Sequence, residues 1–227
     1  MNLLPNSCRL NLQPRDLEFI SQLLTGDSQA DQALGSLLSD PGTLDAVLDQ
    51  PAIFQALIDQ PDPLLVSPEL YFYVLVRHQL KRAGIDDPAV ADYVAATLAA
   101  HTGTVAKSGG QTVSRPGADF SYHIEFIEEM AGLSPTERFF LQVRCGNHLL
   151  VLTGLFPNFL RRRAERRGAP GVRYYEGVAR EAFLTAGSHP LAHEFDVAEV
   201  YAQLTDCFRA MRKALNQMAE DYLFIEN

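Results

Sequence analysis

Hydrophobic residues recur along most of this chain at the three- and four-residue spacing of an amphipathic α-helix. The first such stripe lies between Leu17 and Leu24, and the longest lies between Asp196 and Leu223. A period near 3.6 residues places apolar side chains on one face of a helix, whereas a half-buried strand needs a period of two. Because almost no segment alternates with a period of two, the sequence predicts an all-α fold.

Regularly spaced prolines in the N-terminal third predict a zigzag of short helices. Pro41, Pro51 and Pro61 lie ten residues apart, with a short apolar stripe before each of them. Proline breaks a helix interior but fits the first helical turn, because its missing N–H has no helical partner there. We therefore expect residues 1–66 to form a subregion of helices of one or two turns.

Capping signals predict the longer helices. Ser67-Pro68-Glu69 predicts a helix to about Ala83, and Asp87-Pro88 predicts another to about His101. Residues 102–118 hold four glycines, one proline and no apolar period, which predicts a long flexible loop. A C-terminal helical body is predicted over 119–227, with helices near 119–131, 158–167, 174–186 and 196–223.

The most apolar segment of the chain follows a specific helix start signal. Ser134-Pro135-Thr136-Glu137 matches a capping box with proline at the first helical position, and an apolar run continues to Phe156. A hairpin that turns at Gly146-Asn147 is the competing interpretation, but the cap and the length favour a helix. We expect this helix, about 135–156, to be the centre of one all-α bundle over residues 1–227. The helices predicted to surround it begin at Ser67, Asp87 and Asp196.

Composition indicates a folded cytoplasmic protein without a membrane segment. The chain has 227 residues, of which 47% are hydrophobic, so it is long and apolar enough for a core. Its three cysteines have no paired spacing typical of a disulfide framework or a metal site. The N-terminal residues lack a signal-peptide pattern, and no run reaches the roughly 18 apolar residues of a membrane span.

Polar residues interrupt the two most apolar predicted helices and define a candidate pocket. The interrupting residues are Arg77, His78, Arg144, Asn147 and His148. A buried guanidinium needs a carboxylate partner, because an unpaired charge in a core is costly. The acids nearest in sequence to the central helix are Glu125, Glu128 and Glu129. Two interpretations stay open: a structural ion-pair network, which is favoured, or a ligand or catalytic pocket in which His148 or His78 acts.

No cofactor or metal motif is complete. His189 and His193 are four residues apart but lack the glutamate of an HExxH motif, and Ala106 stands where a phosphate-binding loop needs glycine before Lys107. None of the histidines has the Glu-x-x-His spacing of a di-iron bundle. We therefore expect neither a cofactor nor a metal ion, and we assign no catalytic residue.

Charge is segregated along the chain, although its net charge is −9. Residues 159–180 hold seven arginines and two glutamates, a net charge of +5, whereas residues 1–66 hold two arginines and nine acids, a net charge of −7. The arginines expected to bind a partner or an anion are Arg161, Arg162, Arg163, Arg166 and Arg167. A net acidic chain with few aromatic residues near these arginines is poorly suited to nucleic acid.

These patterns support one leading hypothesis and two alternatives. The leading hypothesis is an interaction or scaffold protein that binds another protein or a second copy of itself through the acidic N-terminal and basic surfaces. The first alternative is an enzyme or small-ligand protein that uses the candidate pocket. The second is a protein that binds nucleic acid or another anion through the arginine-rich helix.

Three segments of the sequence resemble one protein group. They are Gly154–Arg163 (GLFPNFLRRR), Tyr174–Arg180 (YYEGVAR) and Leu70–His78 (LYFYVLVRH). These segments resemble parts of uncharacterised all-helical bacterial proteins. The resemblance implies a helical fold and no particular activity.

Overall fold

A computed structural model describes residues 4–25, 40–59, 65–107 and 132–223 of the chain. Every regular element within these ranges is helical, so the predicted all-α class is confirmed. Contacts divide the chain into two compact units, Pro5–Thr102 and Gly103–Asn227 together with Met1–Leu4. The single domain over residues 1–227 stays a prediction.

The described helices begin at proline more often than at any other residue. In the N-terminal unit, a 3-10 turn at Arg9–Asn11 precedes α1 (Pro14–Thr25), α2 (Pro41–Leu48), α3 (Pro51–Asp59), α4 (Pro68–Arg82) and α5 (Pro88–Lys107), whose last five residues belong to the C-terminal unit. In the C-terminal unit, α6 (Pro135–Leu155), α7 (Pro157–Arg167), α8 (Val172–Gly187), α9 (Pro190–Glu194) and α10 (Ala198–Met218) precede a π-helical turn at Ala219–Leu223. Proline is favoured at this position because its fixed backbone angle suits a helix and its missing N–H leaves no bond unmade.

The zigzag of short helices is confirmed where the structure describes it. Helices α2 and α3 start at Pro41 and Pro51, as the ten-residue spacing predicts. Asp40 caps α2 by accepting a hydrogen bond from the backbone N–H of Thr43. The stripe before Pro41 and the proline at position 61 lie outside the described residues.

The start predicted for the long loop, residue 102, is wrong, because α5 continues to Lys107. Gly103 and the β-branched residues around it weaken a helix by up to about 1 kcal/mol each but do not block one, whereas proline does. The next proline after Pro88 is Pro116. The rest of the predicted loop and the predicted helix at 119–131 lie outside the described residues.

Helix α4 supplies much of the core of the N-terminal unit. Nine of its fifteen residues are buried, and Leu70, Tyr73, Leu75 and Leu80 are fully enclosed. Ser67 caps the helix by accepting a hydrogen bond from the N–H of Leu70, as the sequence predicts. Because α4 is apolar on most faces, its arginine and histidine must be accommodated by neighbouring elements.

Helix α6 is the central element of the C-terminal unit, as the sequence predicts. Its capping box is formed: the N–H of Glu137 donates to Ser134 Oγ at 3.3 Å, and the N–H of Ser134 donates to Glu137 Oε2 at 2.8 Å. Helices α8 and α10 pack against α6 and against each other. Packing of the predicted neighbour α10 is thus confirmed, whereas packing of α4 and α5 around α6 stays a prediction.

Gly146 does not mark a hairpin turn; it lies inside the continuous helix α6. A Cβ atom at this position would lie 2.8 Å from the Phe183 ring of α8. A Cβ atom at Gly154, two turns later, would lie 2.9 Å from the Leu215 side chain of α10. The two glycines therefore let α8 and α10 approach the α6 backbone closely, a packing role that the sequence pattern does not distinguish from a turn.

No described helix is, on its own, both long and apolar enough to cross a membrane. Helices α6 and α7 reach that length and composition only as a pair, across a bend of 91°.

Candidate functional site

Arg77 of α4 is buried and held by two carboxylates. Its side chain donates from Nε to Asp49 Oδ1 and from Nη2 to Asp49 Oδ2, both at 2.9 Å, and Nη2 also lies 2.5 Å from Asp86 Oδ1. Only 5% of Arg77 is exposed. Two parallel hydrogen bonds to one carboxylate form a strong, geometrically specific arginine contact. Within the N-terminal unit, this geometry fits the structural-network interpretation.

Asp49, the residue after α2, is the centre of this network. Its Oδ2 also accepts a hydrogen bond from Lys81 Nζ at 2.9 Å. Burial alone would raise the pKa of Asp49, but the hydrogen bonds from Arg77 and Lys81 hold that pKa below its ordinary value. The network thus ties the end of α2 to α4 through Nε and Nη2 of Arg77, whereas its Nη1 is buried without a hydrogen-bond partner among the described residues.

His78 packs by its ring rather than within the arginine network. The ring stacks on Phe54 of α3, with centroids 3.6 Å apart and planes 10° apart. Partial burial, together with the positive charge of Arg82, lowers the pKa of His78 below its ordinary value. The neutral imidazole is therefore the form that suits the α3–α4 contact.

Arg144 is exposed, so the expectation of a buried guanidinium in the central helix is wrong. Asn147 and His148 are half-buried, as is Phe140, one turn before Arg144. Their spacing places all four side chains on one face of α6. Gly146, which contacts Phe183 of α8, lies on a different face of the helix, whereas Gly154 is seven residues after Asn147 and therefore shares this face near its C-terminal end.

The candidate pocket as a whole stays a prediction. Arg77 and His78 belong to the N-terminal unit, whereas Arg144, Asn147 and His148 belong to the C-terminal unit. The acids expected to pair with Arg144 lie outside the described residues: Glu125, Glu128 and Glu129.

The arginines of α7 are mostly exposed. Arg161, Arg162, Arg166 and Arg167 are exposed, and these four residues are named the α7 basic face. Arg163 is half-buried instead, and its charge acts on Tyr175, whose pKa is raised by burial and lowered in part by Arg163. The helix ends at Gly168, which adopts the left-handed conformation (φ 61°) common at helix ends.

Three acids of the N-terminal third are used inside the N-terminal unit. Asp16 is fully buried and accepts from the backbone N–H of Gln13 (2.7 Å), the N–H of Ser67 (2.6 Å) and the hydroxyl of Ser67 (2.6 Å). Asp45 and Asp49 accept from arginines 9 and 77. The net charge of −7 in residues 1–66 therefore overstates the acidity of their surface.

Arg9 anchors the N-terminal segment to three helices, a cluster that the sequence interpretation missed. Its Nη1 donates to both carboxylate oxygens of Asp45 at 2.7 Å, and its backbone N–H donates to Asp92 at 3.1 Å. Tyr73 Oη also donates to Asp45 at 3.2 Å, and burial raises the pKa of this phenol, which keeps it a neutral donor. The available signal was that only two basic residues occur among the first 66.

A second missed network joins the three long helices of the C-terminal unit. Arg212 of α10 donates to Glu176 of α8 at 2.5 Å and to Asn216 at 2.6 Å. Asn216 in turn donates to the carbonyls of Thr153 and Gly154, at 2.8 and 2.6 Å, in the last turn of α6. The last carbonyls of a helix have no backbone N–H donor within that helix, so Asn216 supplies hydrogen bonds that the end of α6 would otherwise lack. The network also fixes the register of the three helices.

Within the described ranges, no group of three or more histidine, cysteine, aspartate or glutamate side chains could hold a metal ion. His189 instead accepts a hydrogen bond at Nδ1 from the N–H of Leu191 and caps α9. Comparisons of the chain with protein-family models, curated proteins and solved structures find no match. The resemblance to uncharacterised helical bacterial proteins therefore stays an expectation.

Proposed function

We propose that this protein is a helical interaction protein whose α7 basic face binds an acidic protein surface, with a second copy of the chain as the partner. The observation that carries the proposal is the concentration of exposed arginines in one short helix. Arg9, Arg77, Lys81 and Arg212 are each paired with a carboxylate of their own unit. Among the described residues, Arg161, Arg166 and Arg167 form no such pair.

A helix that concentrates exposed arginines carries an electrostatic cost unless a partner offsets it. The α7 basic face places four guanidinium groups within about two turns, with Glu165 the only acid of the helix. Arg162 and Arg166 are four residues apart, and like charges at that spacing destabilise a helix by a few tenths of a kcal/mol. Arg166 and Arg167 recover part of that cost at the negative end of the helix dipole, and Arg161 has the opposite charge of Glu165 four residues after it.

A protein partner fits the composition of the chain better than nucleic acid. The net charge of −9 opposes approach of a polyanion over most of the surface, whereas an acidic patch on a second copy needs only a local match. The free state of all three cysteines supports a reducing, cytoplasmic compartment.

Sedimentation velocity at two salt concentrations tests the proposal. The full chain should self-associate in about 0.1 M NaCl, where charges act over about 10 Å, and dissociate in about 1 M NaCl, where the range falls to about 3 Å. The double variant R161E/R166E should stay monomeric in both. R209E/K213E, which reverses two exposed cations of α10, is the matched control and should behave like the unmodified chain.

Three results would contradict the proposal. The unmodified chain could be monomeric in low salt, the control variant could lose association equally, or association could be unaffected by R161E/R166E. Retention of the unmodified chain on a DNA column in low salt, lost in R161E/R166E and kept in the control, would instead support the nucleic-acid alternative.

A further inference from the structure

An exposed aromatic side chain stands at the junction between α9 and α10. Phe195 is 44% exposed even though its ring lies 6.2 Å, between centroids, from both Phe139 and Phe140 of α6. Phe139 is itself buried and also contacts His189. One face of the Phe195 ring is thus supported by the core, while much of its remaining surface is open to solvent.

Three exposed acids lie within four residues of Phe195 in the sequence: Glu194, Asp196 and Glu199. Among the described residues none of the three forms an ion pair. The cationic candidates nearby are His193 and Arg138, and the exposed Glu137 adjoins Arg138 in the first turn of α6. The junction, residues 193–199 and named the acidic corner, therefore carries a net negative charge around an exposed aromatic ring.

The backbone of the acidic corner is well defined by hydrogen bonds. The N–H of Phe195 donates to the carbonyl of Leu191 at 3.0 Å, and the N–H of Val197 donates to the carbonyl of Ala192 at 2.8 Å. Asp196 between them has a φ of 56°, the single positive φ of a non-glycine residue in the described chain. A rigid corner of this kind presents its side chains with little ordering cost on binding.

We infer that the acidic corner is the surface that receives the α7 basic face of a second copy. The inference rests on the proposed function and names the partner surface for it. Guanidinium groups stack on aromatic faces and bind carboxylates through paired hydrogen bonds, and the acidic corner offers both partners side by side. Three acids of the N-terminal third, Asp16, Asp45 and Asp49, are a poorer match because they are already engaged within their own unit.

A contact between two different patches makes a reciprocal test possible. The corner variant E194K/E199K and the basic-face variant R161E/R166E should each be monomeric in about 0.1 M NaCl. In an equimolar mixture, the intact basic face of the first meets the intact corner of the second, so the mixture should form a complex containing both variants. E181K/D206K, which reverses two exposed acids of α8 and α10, should self-associate like the unmodified chain.

The outcomes separate this inference from the proposed function. If E194K/E199K self-associates normally while R161E/R166E does not, the acidic corner is not the receiving surface and the proposed function stands. If both variants are monomeric but their mixture stays monomeric, the inference is again overturned. If neither variant changes the assembly, the inference and the proposed function both fail. Far-UV circular dichroism and thermal melting confirm that each variant is folded before it is scored.

Discussion

Removing the carboxylate of Asp16 should destabilise the N-terminal unit more than any exposed substitution in α1. The side chain is fully buried, and its two oxygens accept three hydrogen bonds. Two of the donors belong to Ser67, which caps α4, and the third is the backbone N–H of Gln13, just before α1. Asp16 therefore joins the starts of two helices that are separated by about fifty residues of chain.

The expected magnitude follows from the donors that the substitution leaves behind. Asp16→Ala leaves the buried N–H of Ser67 and the N–H of Gln13 without their acceptor, and each unsatisfied buried donor costs about 1–3 kcal/mol. Removal of a buried charge recovers part of its desolvation energy. We expect a net loss of about 4 kcal/mol for Asp16→Ala, a large share of the 5–15 kcal/mol that typically stabilises a domain.

Urea denaturation of the full chain, followed by circular dichroism, measures the loss, and amide hydrogen exchange at Ser67 locates it. Glu18→Ala, an exposed position on the same helix, is the control and should cost less than about 0.5 kcal/mol. Combining Asp16→Ala with Ser67→Ala gives a double-mutant cycle, in which the shared hydrogen bond should appear as a coupling of about 1–2 kcal/mol. A cost below about 1 kcal/mol for Asp16→Ala, or strict additivity in the cycle, would refute the reasoning.

Three further predictions address packing, the arginine network and pH. Gly146→Ala should destabilise the protein by about 1–3 kcal/mol, because its Cβ would overlap the Phe183 ring, whereas Gly177→Ala, with open space around it, should stabilise α8 by up to about 1 kcal/mol. Thermal melting compares the two, and an equal effect would contradict the close-packing role. Arg77→Met should lower the free energy of unfolding, measured by urea denaturation, by about 3 kcal/mol, because it leaves the partly buried Asp49 without its main partner. An unchanged free energy of unfolding would contradict a stabilising role for the arginine network. The pKa of His78 is lower in the folded chain than its ordinary value of 6.5, so below pH 6.5 the unfolded chain binds more protons than the folded chain. The stabilisation that the neutral His78 ring provides is therefore complete above pH 6.5, and it decreases as the pH falls toward the folded pKa. The difference in stability between the unmodified chain and His78→Gln should narrow from pH 7.5 to pH 5.5, and a constant difference would contradict this assignment.

Helix starts could be predicted from the sequence because the physics that sets them is local. Pro51, Pro68 and Pro135 each begin a helix, and Ser67 and Ser134 cap the last two by hydrogen bonds that span three residues. Local chemistry of this kind needs no knowledge of the rest of the fold. The same reasoning misplaced the end of α5, because glycine and β-branched residues lower helix stability without forbidding a helix.

The candidate site could not be predicted with equal success, because the direction of a polar side chain depends on which helix faces are covered. Arg77 and Arg144 look alike in sequence, each inside an apolar run. The former is enclosed and bound to Asp49, while the latter is exposed. Gly146 illustrates the same difficulty, since only the position of Phe183 reveals why a glycine occurs there.

The ion pairs and hydrogen bonds of the charged residues change how the uneven distribution of charge along the chain is interpreted. Three of the nine acids in residues 1–66, Asp16, Asp45 and Asp49, accept hydrogen bonds at helix starts or from arginines, so part of the net charge of −7 stabilises the unit itself. The basic segment behaves differently, because exposed arginines such as Arg161 gain little from their own unit. Exposed charges contribute little to folding and act mainly on association rate and specificity. This difference is the reason for proposing α7 as the surface that binds a partner, and for seeking its acidic counterpart among acids without an ion pair in the described ranges, such as those of the acidic corner.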